Sequence, residues 1–372
     1  MSVLLKKPIF ESVSQQELAE QLEGKKRCRK KLPTWFDSAK IYYPKKVHIE
    51  QSSSEATALF KASLIEGKRL IDLTGGLGVD CYFFAQRFET VIHCESNPEL
   101  SEVAAHNFSM LNISNVDCFA KDGFEVLADD PTPFDWIYVD PSRRDASANK
   151  VYFLKDCMPN VPERLSLLFT HAESILVKTS PLLDIKQGLR ELDHVVTIYV
   201  VALENEVKEL LWVLQKGHAD APNIVAINLG QDKAIEFRFT QEEEDLAEVR
   251  YALPKTYLYE PHAALMKSGG FRSIAKRFTF SKIAEHSHLY TSDSLIDFPG
   301  RRFKVVATYP YSKEAMRNLP YQKANISTRN FPINVAQIRK KHRIADGGSA
   351  YLFFTTDANG NRLVLSCAKI NH

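Results

Sequence analysis

Between residues 51 and 239 the chain repeats one pattern: a short, nearly continuous apolar run, followed in most cases by a segment of helical length. The runs are "RLIDL", "TVIHCE", "VDCFAKD", "FDWIYVDP", "SILVKTSP", "VVTIYVV" and "ELLWVLQ". Strands this apolar are stable where both faces of a sheet are covered. Strands alternating with helices predict a parallel α/β sheet, because parallel neighbours need a long crossover. "VVTIYVVAL" and "ELLWVLQKG" lie too close together for a crossover and predict an antiparallel hairpin at one edge. Ahead of the first strand, "SSSEATALFKASLIEG" predicts a helix with a serine cap, an early Glu55 and Gly67 as its stop.

A chain of 372 residues predicts two or three domains, and 44% apolar residues suffice for a sizeable core. No apolar run approaches the roughly 18 residues that span a bilayer. The opening "MSVLLKKPIFESVSQQ" has too short an apolar stretch for a secretory signal, so the expected location is the cytoplasm, away from membranes. The six cysteines are scattered without a C-x-x-C pair, which argues against a zinc knuckle and a disulfide framework. They are expected to be reduced and mostly in the core. The polar, helix-prone start of the chain holds "KKRCRKK" at residues 25–31, which reads either as a solvated face or as a phosphate contact. The acidic "QEEED" at 241–245 predicts a surface loop or linker, and the aromatic, basic, turn-rich sequence from Tyr257 onward predicts one or two small α+β units.

After the first run comes "LTGGLGVD", a glycine turn leading into a helix. A phosphate-binding loop of the G-x-x-x-x-G-K-[ST] type needs a closing lysine, and this turn closes with Gly78, Val79 and Asp80. A dinucleotide fingerprint needs a third glycine or alanine, and Cys81 stands there. A pyrophosphate would also face Asp72 and Asp80 at close range. S-adenosylmethionine carries no phosphate and brings a sulfonium and an ammonium, both of which carboxylates attract. Gly76 and Gly78 let the backbone pass tightly beneath such a ligand.

The other strand ends agree with that ligand. In an open α/β sheet, ligands bind beyond the carboxyl ends of the strands. Those ends carry Asp72, Glu95, Asp122 and Asp140 in turn. Glu95 follows the loop at the spacing of a ribose ligand, Asp122 is placed for the adenine amino group, and Asp140 lies near the transferred methyl. A single acid at a strand end is ordinarily a turn residue or a cap; four in register are not explained that way.

"IDLTGGLGVD", "HCESN", "AKDG" and "IYVDPSRR", in this order, resemble the class I (Rossmann-like) S-adenosylmethionine-dependent methyltransferases. The resemblance implies strand order 3-2-1-4-5-7-6, with Thr74 replacing the first glycine of many members. The variant D-x-T-x-G-L-G-x-D and the "DP" after the fourth strand resemble the ribosomal-RNA guanine-N2 methyltransferases. "EQSSSEATALFKA", "VKTSPLLD", "YLYEPHAALMKSGGF" and "FPGRRF" with "KANISTRNFP" extend the likeness to a bacterial group of methyltransferases with a THUMP-like C-terminal domain. That implies RNA as partner, tRNA first and rRNA second. The expected division is a helical segment at 1–50, a cofactor-binding Rossmann-like domain at 51–250, a small α+β unit at 251–299 and a basic THUMP-like domain at 300–372.

Amino-methylating relatives end the fourth strand in [DN]-P-P-[FYW], where the acid or amide and a backbone carbonyl hold the amine and the aromatic stacks on its ring. This chain has Asp140, Pro141 and Ser142, then Arg143 and Arg144 where an aromatic is usual. An arginine plane can stack on a base or contact a phosphate. Tyr152 and Phe153 are candidates for the missing aromatic face, or ordinary core residues. Lys178, after the fifth strand, reads as a phosphate ligand, as support for Asp140, as a base if its pKa were depressed, or as a plain ion pair. Pyrimidine-C5 methyltransferases place a cysteine nucleophile there and this chain does not; Cys157 is expected in the core.

Residues 301–345 hold eleven lysines and arginines against the single Glu314, a formal +10 in a chain of net +2. Arg301, Arg302, Lys323, Arg329, Arg339 and Lys340 are the candidate RNA contacts. Phe303, Tyr309, Tyr311, Tyr321 and Phe331 interleave them as stacking platforms, or as a small aromatic core. His286 and His288 point the same way if they lie on a strand, but without a third ligand no metal is expected. A methyltransferase for a small molecule or protein, and a cofactor-binding module without catalysis, are the alternative readings. Oligomeric state is open.

Overall fold

The computed structural model describes residues 13–143, 153–230 and 236–370. The chain divides into two compact units, residues 1–203 with 208–221, and residues 204–207 with 222–372. Residues 222–250, which the sequence reading groups with the Rossmann-like domain, therefore fall in the second unit.

The first unit begins with α1 (Gln15–Lys31), α2 (Pro33–Asp37) and α3 (Lys46–Gln51). The Ser14 hydroxyl caps α1 by accepting the Glu17 N–H at 3.1 Å. The basic run 25–31 occupies its last turns, where cations suit the helix dipole. Cys28 turns inward, Arg27 pairs with Glu23 and Glu50, and Lys31 donates to the carbonyls of Ile49 and Glu50. Lys25, Lys26, Arg29 and Lys30 are exposed, so most of the run is a solvated face. In α4 (Glu55–Leu64), Ser54 and Thr57 form the capping box. Gly67 is not the stop of this helix, contrary to expectation. The helix ends at Leu64, and Gly67 opens β1 (Gly67–Asp72), packed so closely on Asp135 that a Cβ would lie 2.8 Å from it.

The remaining elements alternate as α5 (Val79–Phe84), β2 (Phe88–Cys94), α6 (Pro98–Met110), β3 (Val116–Phe119), α7 (Gly123–Asp129), β4 (Phe134–Val139), α8 (Val161–His171), β5 (Ala172–Thr179), α9 (Ile185–Glu191), β6 (Val195–Leu203) and β7 (Glu206–Gln215). The strands lie in the order β3-β2-β1-β4-β5-β7-β6. β1 to β5 are parallel, and β7 runs antiparallel to β5. Leu70, Ile71, Ile137, Val139, Ile175, Leu176 and Val177 have no exposed surface, as strands covered on both faces require. Glu204 and Asn205, at φ 51° and 65°, form the two-residue turn from β6 to β7.

In the second unit, β8 (Asn223–Leu229) and β9 (Phe237–Thr240) pair antiparallel. The acidic stretch 241–245 is not a loop but the start of α10 (Gln241–Leu246). Thr240 and Glu243 form a capping box, and three glutamates complement the positive helix start. The chain continues through β10 (Arg250–Tyr251), β11 (Tyr257–Pro261), α11 (Ala263–Ser268), α12 (Phe271–Arg277), β12 (Ser281–Lys282) and β13 (Tyr290–Ser292). β14 (Gly300–Pro310), α13 (Lys313–Arg317), β15 (Lys323–Arg329), α14 (Val335–His342), β16 (Ala345–Thr356) and β17 (Arg362–Ile370) complete it. Eight strands form one sheet in the order β10-β12-β13-β11-β14-β17-β16-β15. Leu258, Phe303, Phe353 and Leu365 anchor one apolar cluster on it, and Met316, Ile338, Leu352 and Phe354 anchor another.

Candidate functional site

At the carboxyl ends of β1 to β5 lies a cleft of about 1710 Å³. Asp72, Thr74, Gly76, Gly78, Glu95, Asp122, Asp140, Pro141, Ser142 and Lys178 all line it. The loop after β1 is drawn across the sheet edge by two backbone bonds: Gly75 N–H to Cys94 O at 2.8 Å, and Leu73 N–H to Tyr138 O at 3.1 Å. Gly78 caps α5 with φ 80°, and a Cβ there would lie 2.4 Å from the Phe108 ring. Gly76 has φ 56°, and a Cβ on it would meet no protein atom nearer than 3.9 Å; it would stand in the open cleft.

Thr74 ties two strands together. Its hydroxyl accepts the Asp140 N–H at 2.7 Å and donates to Asp72 Oδ1 at 3.2 Å, while its own N–H reaches the same oxygen at 2.9 Å. The departure from the usual glycine thus joins the ends of β1 and β4. Asp72 is 1% exposed, and Cys81 Sγ donates to its second oxygen at 3.2 Å. Burial outweighs these bonds and raises its pKa to about 7. Glu95 accepts the Gly76 N–H at 3.0 Å on one oxygen and the Asn97 N–H at 2.7 Å on the other, leaving a lone pair on each. Asp122 caps α7 by accepting the Phe124 N–H at 2.8 Å.

Asp80 does not face the cleft as a free charge. It is 9% exposed, its Oδ1 lies 3.2 Å from Lys61 Nζ, and its Oδ2 accepts from Ser53 at 2.8 Å and Tyr138 at 2.9 Å. Burial alone would push its carboxyl up; the Lys61 and Lys178 cations and the two hydroxyls reverse that and hold it below the ordinary range. Lys61, with no exposed surface, also chelates Glu209 at 2.9 and 3.0 Å. The sequence reading did not single out Ser53, Lys61 or Glu209. The signal was present: Lys61 shares the buried face of α4 with Thr57 and Ala58, one helical turn away, and with its neighbour Ala62.

Lys178 donates to Asp140. Burial disfavours its charge, but Asp140, Glu209 and Asp80 outweigh burial and raise its pKa. The direction of that shift favours an ammonium that holds Asp140 over a free base. Beyond Pro141, Ser142 pairs with Met158 and the Arg143 backbone with Cys157 in a two-residue ribbon. Arg144 and Tyr152 lie outside the described residues. Phe153 is 39% exposed and lines the cleft, with Lys155 Nζ 5.1 Å from its ring centre, so it is not a core residue. Cys157, expected in the core, is half-buried and also lines the cleft.

The basic residues of 301–345 divide. Arg301 and Arg329 both bond Glu260, Arg302 bonds Asp297 at 3.1 Å, and Arg339 holds the carbonyls of Ala324 and Ile344 and the Asp346 carboxylate. Lys323 and Lys340 are exposed. Phe303 is buried, while Tyr309, Tyr311, Tyr321 and Phe331 pack against an apolar cluster. Phe303 is thus a core residue, and the other four pack at the edge of the core with part of their surface exposed. His288, with φ 49°, lies on no strand; its ring stacks 3.7 Å from Phe271. Among the described residues, no group of three or more His, Cys, Asp or Glu could hold a metal ion, and no helix is long and apolar enough to cross a membrane.

Residues 257–299 match the model of a ferredoxin-like domain, and residues 300–369 that of a THUMP domain-like family. A candidate methyltransferase from Porphyromonas gingivalis W83 matches 99% of this chain over 94% of its own, at 36% identity and a TM-score of 0.93. An rRNA methylase from Streptococcus thermophilus matches 43% of this chain and 93% of its own, at 15% identity and a TM-score of 0.32. A candidate methyltransferase from Streptococcus mutans, in complex with SAH, matches 43% of this chain and 95% of its own, at 14% identity and a TM-score of 0.33. No curated protein sequence matches the chain significantly.

Proposed function

The chain belongs to the class I (Rossmann-like) methyltransferases with a C-terminal THUMP-like domain, and from that premise we propose that it is an S-adenosylmethionine-dependent, cytoplasmic RNA methyltransferase, acting on tRNA first and rRNA second. The observation that carries this reading is the cleft, with acids from four strand ends around an open glycine turn. The residues fit the cofactor. Glu95 keeps an acceptor site on each oxygen for the ribose hydroxyls, Asp122 suits the adenine amine, and Asp72 lies beneath the position of the cationic half. Gly76 leaves open the space that a side chain would fill. Bound there, S-adenosylmethionine supplies an electrophilic methyl group.

The chain's own residues orient the nucleophile. Asp140 and the backbone carbonyl of Pro141 hold the target group, with Ser142 beside them. Lys178 and Thr74 fix Asp140 from two sides, one through its carboxylate and one through its backbone N–H. With Lys178 as an ammonium, a proton released by the target group passes to Asp140 or to solvent. Phe153 offers the aromatic face for the target base.

The test is nucleoside mass spectrometry of total tRNA and rRNA from a strain lacking the gene, against its parent. One methylated nucleoside should vanish and return with the wild-type gene but not with Asp140→Ala. No change in either pool would reject the RNA reading.

A further inference from the structure

The second unit contains a cavity of about 370 Å³, whose walls include Asn205, Glu260, Ala263, Lys267, Arg301 and Arg329. Three separate motifs meet there: "YEPHAALMK", "FPGRRF" and "ISTRN". Glu260, on β11, is 2% exposed. Its Oε1 accepts from Arg329 Nε at 3.1 Å and Nη2 at 2.8 Å. Its Oε2 accepts from Arg301 Nε at 2.7 Å and from Arg301 Nη2. Each oxygen therefore holds one guanidinium by its Nε edge.

That arrangement leaves Nη1 of each guanidinium and the second Nη2 hydrogen of Arg329, while Arg301 Nη2 also reaches Ser327 Oγ in a long bond of 3.4 Å. The two side chains remain 38% and 33% exposed. One carboxylate neutralises one of the two cations, so the triad carries a formal +1. Two guanidinium groups that share one carboxylate are only half compensated and attract a second anion. Among the described residues that wall the cavity, Glu260 is the one carboxylate, and the neutral Asn205 has its carbonyl oxygen taken by the Ala263 N–H at 2.8 Å. Two planar forks suit a group with several terminal oxygens, and a cavity of this size accommodates a phosphoryl group with an attached sugar.

We propose that this cavity binds a phosphomonoester, its terminal oxygens taken by the free edges of Arg301 and Arg329, with Glu260 as the residue that positions both. The phosphomonoester is the terminal phosphate of an RNA strand or that of a small sugar phosphate. Only the choice between these sources rests on the RNA reading given above.

The full-length protein is titrated calorimetrically at low salt with ribose 5-phosphate, ribose, and one oligoribonucleotide with and without a 5′-phosphate. Ribose 5-phosphate should bind where ribose does not. If RNA is the source, the phosphorylated strand should bind about tenfold or more tightly than its 5′-hydroxyl twin. A gain for the sugar phosphate but not for the strand assigns the site to small molecules and rejects the RNA source. Arg329→Lys keeps the charge and loses the fork, and should abolish the phosphate-dependent gain. The pair Glu260→Gln with Arg329→Met avoids an uncompensated buried carboxylate, and should abolish it too while thermal unfolding stays cooperative. Equal binding of ribose and ribose 5-phosphate, or a phosphate gain that survives in both variants, overturns the proposal. Failure of the methyltransferase reading has a different signature: no modified nucleoside, with phosphate binding intact.

Discussion

Glu95 sits where a single side chain serves both the loop and a ligand. It already accepts two backbone N–H groups, so the Glu95→Ala variant loses loop order as well as ribose contacts. Calorimetry should show cofactor affinity weakened by about 1.5–3 kcal/mol, the worth of a bond to a charged group; unchanged affinity would remove Glu95 from the ribose role. Asp72 makes a second prediction. Its folded pKa of about 7 lies above the ordinary 3.8, so between those values the folded state binds the extra proton. Its contribution to stability is complete at low pH and lost as pH rises through 7. Asp72→Asn should flatten that fall, read as melting temperature against pH beside the wild type. Those strand-end acids were legible because each closes an apolar run. Asp80 was legible as an acid but not in its role, because Lys61 and Glu209 reach it from segments distant in the chain, and a strand pattern does not announce which charges will meet.

At the scale of elements, α4 brings Lys61 beneath the cleft, and β7 brings Glu209 to it. Both are almost wholly buried, so removing the cation leaves two acids without their shared partner. Lys61→Met should cost about 3–5 kcal/mol in urea unfolding, the range for breaking a buried pair from one side. A loss under 1 kcal/mol would mean that water enters the site. The strands and their parallel order follow from apolar runs and crossover lengths, and these were readable. α10 was misread although its signal was in the sequence: Thr240 followed three residues later by Glu243 is a helix start, but five polar residues in a row suggested a loop. The aromatics of 301–345 misled in the opposite direction. Basic residues between them suggested a binding groove, yet Phe303 is buried and the other four pack against an apolar cluster, with Lys304 beside Phe303 exposed on β14, so the same spacing serves a core.

At the scale of the molecule, the cations that remain exposed between residues 301 and 345 are Lys304, Lys313, Arg317, Lys323, Lys340, Lys341 and Arg343. If these meet RNA phosphates, log affinity should fall by about 0.7–0.9 per contact per log unit of salt. Replacing Lys323 and Lys340 with alanine should lower that slope by about two contacts and leave cofactor affinity unchanged. A slope that stays the same would place the RNA elsewhere. The same surface bears on how the chain can be divided. The ferredoxin-like match ends at residue 299 and the THUMP-like match begins at 300. β11 belongs to the first and β14 to the second, and they pair along Tyr257 to Pro261 with Lys304 to Gly300. Two modules by ancestry are thus one object mechanically. A scissor cut at their junction would leave each half with a raw strand edge hungry for hydrogen bonds, and the fragments should stick to one another or to themselves instead of standing as independent pieces.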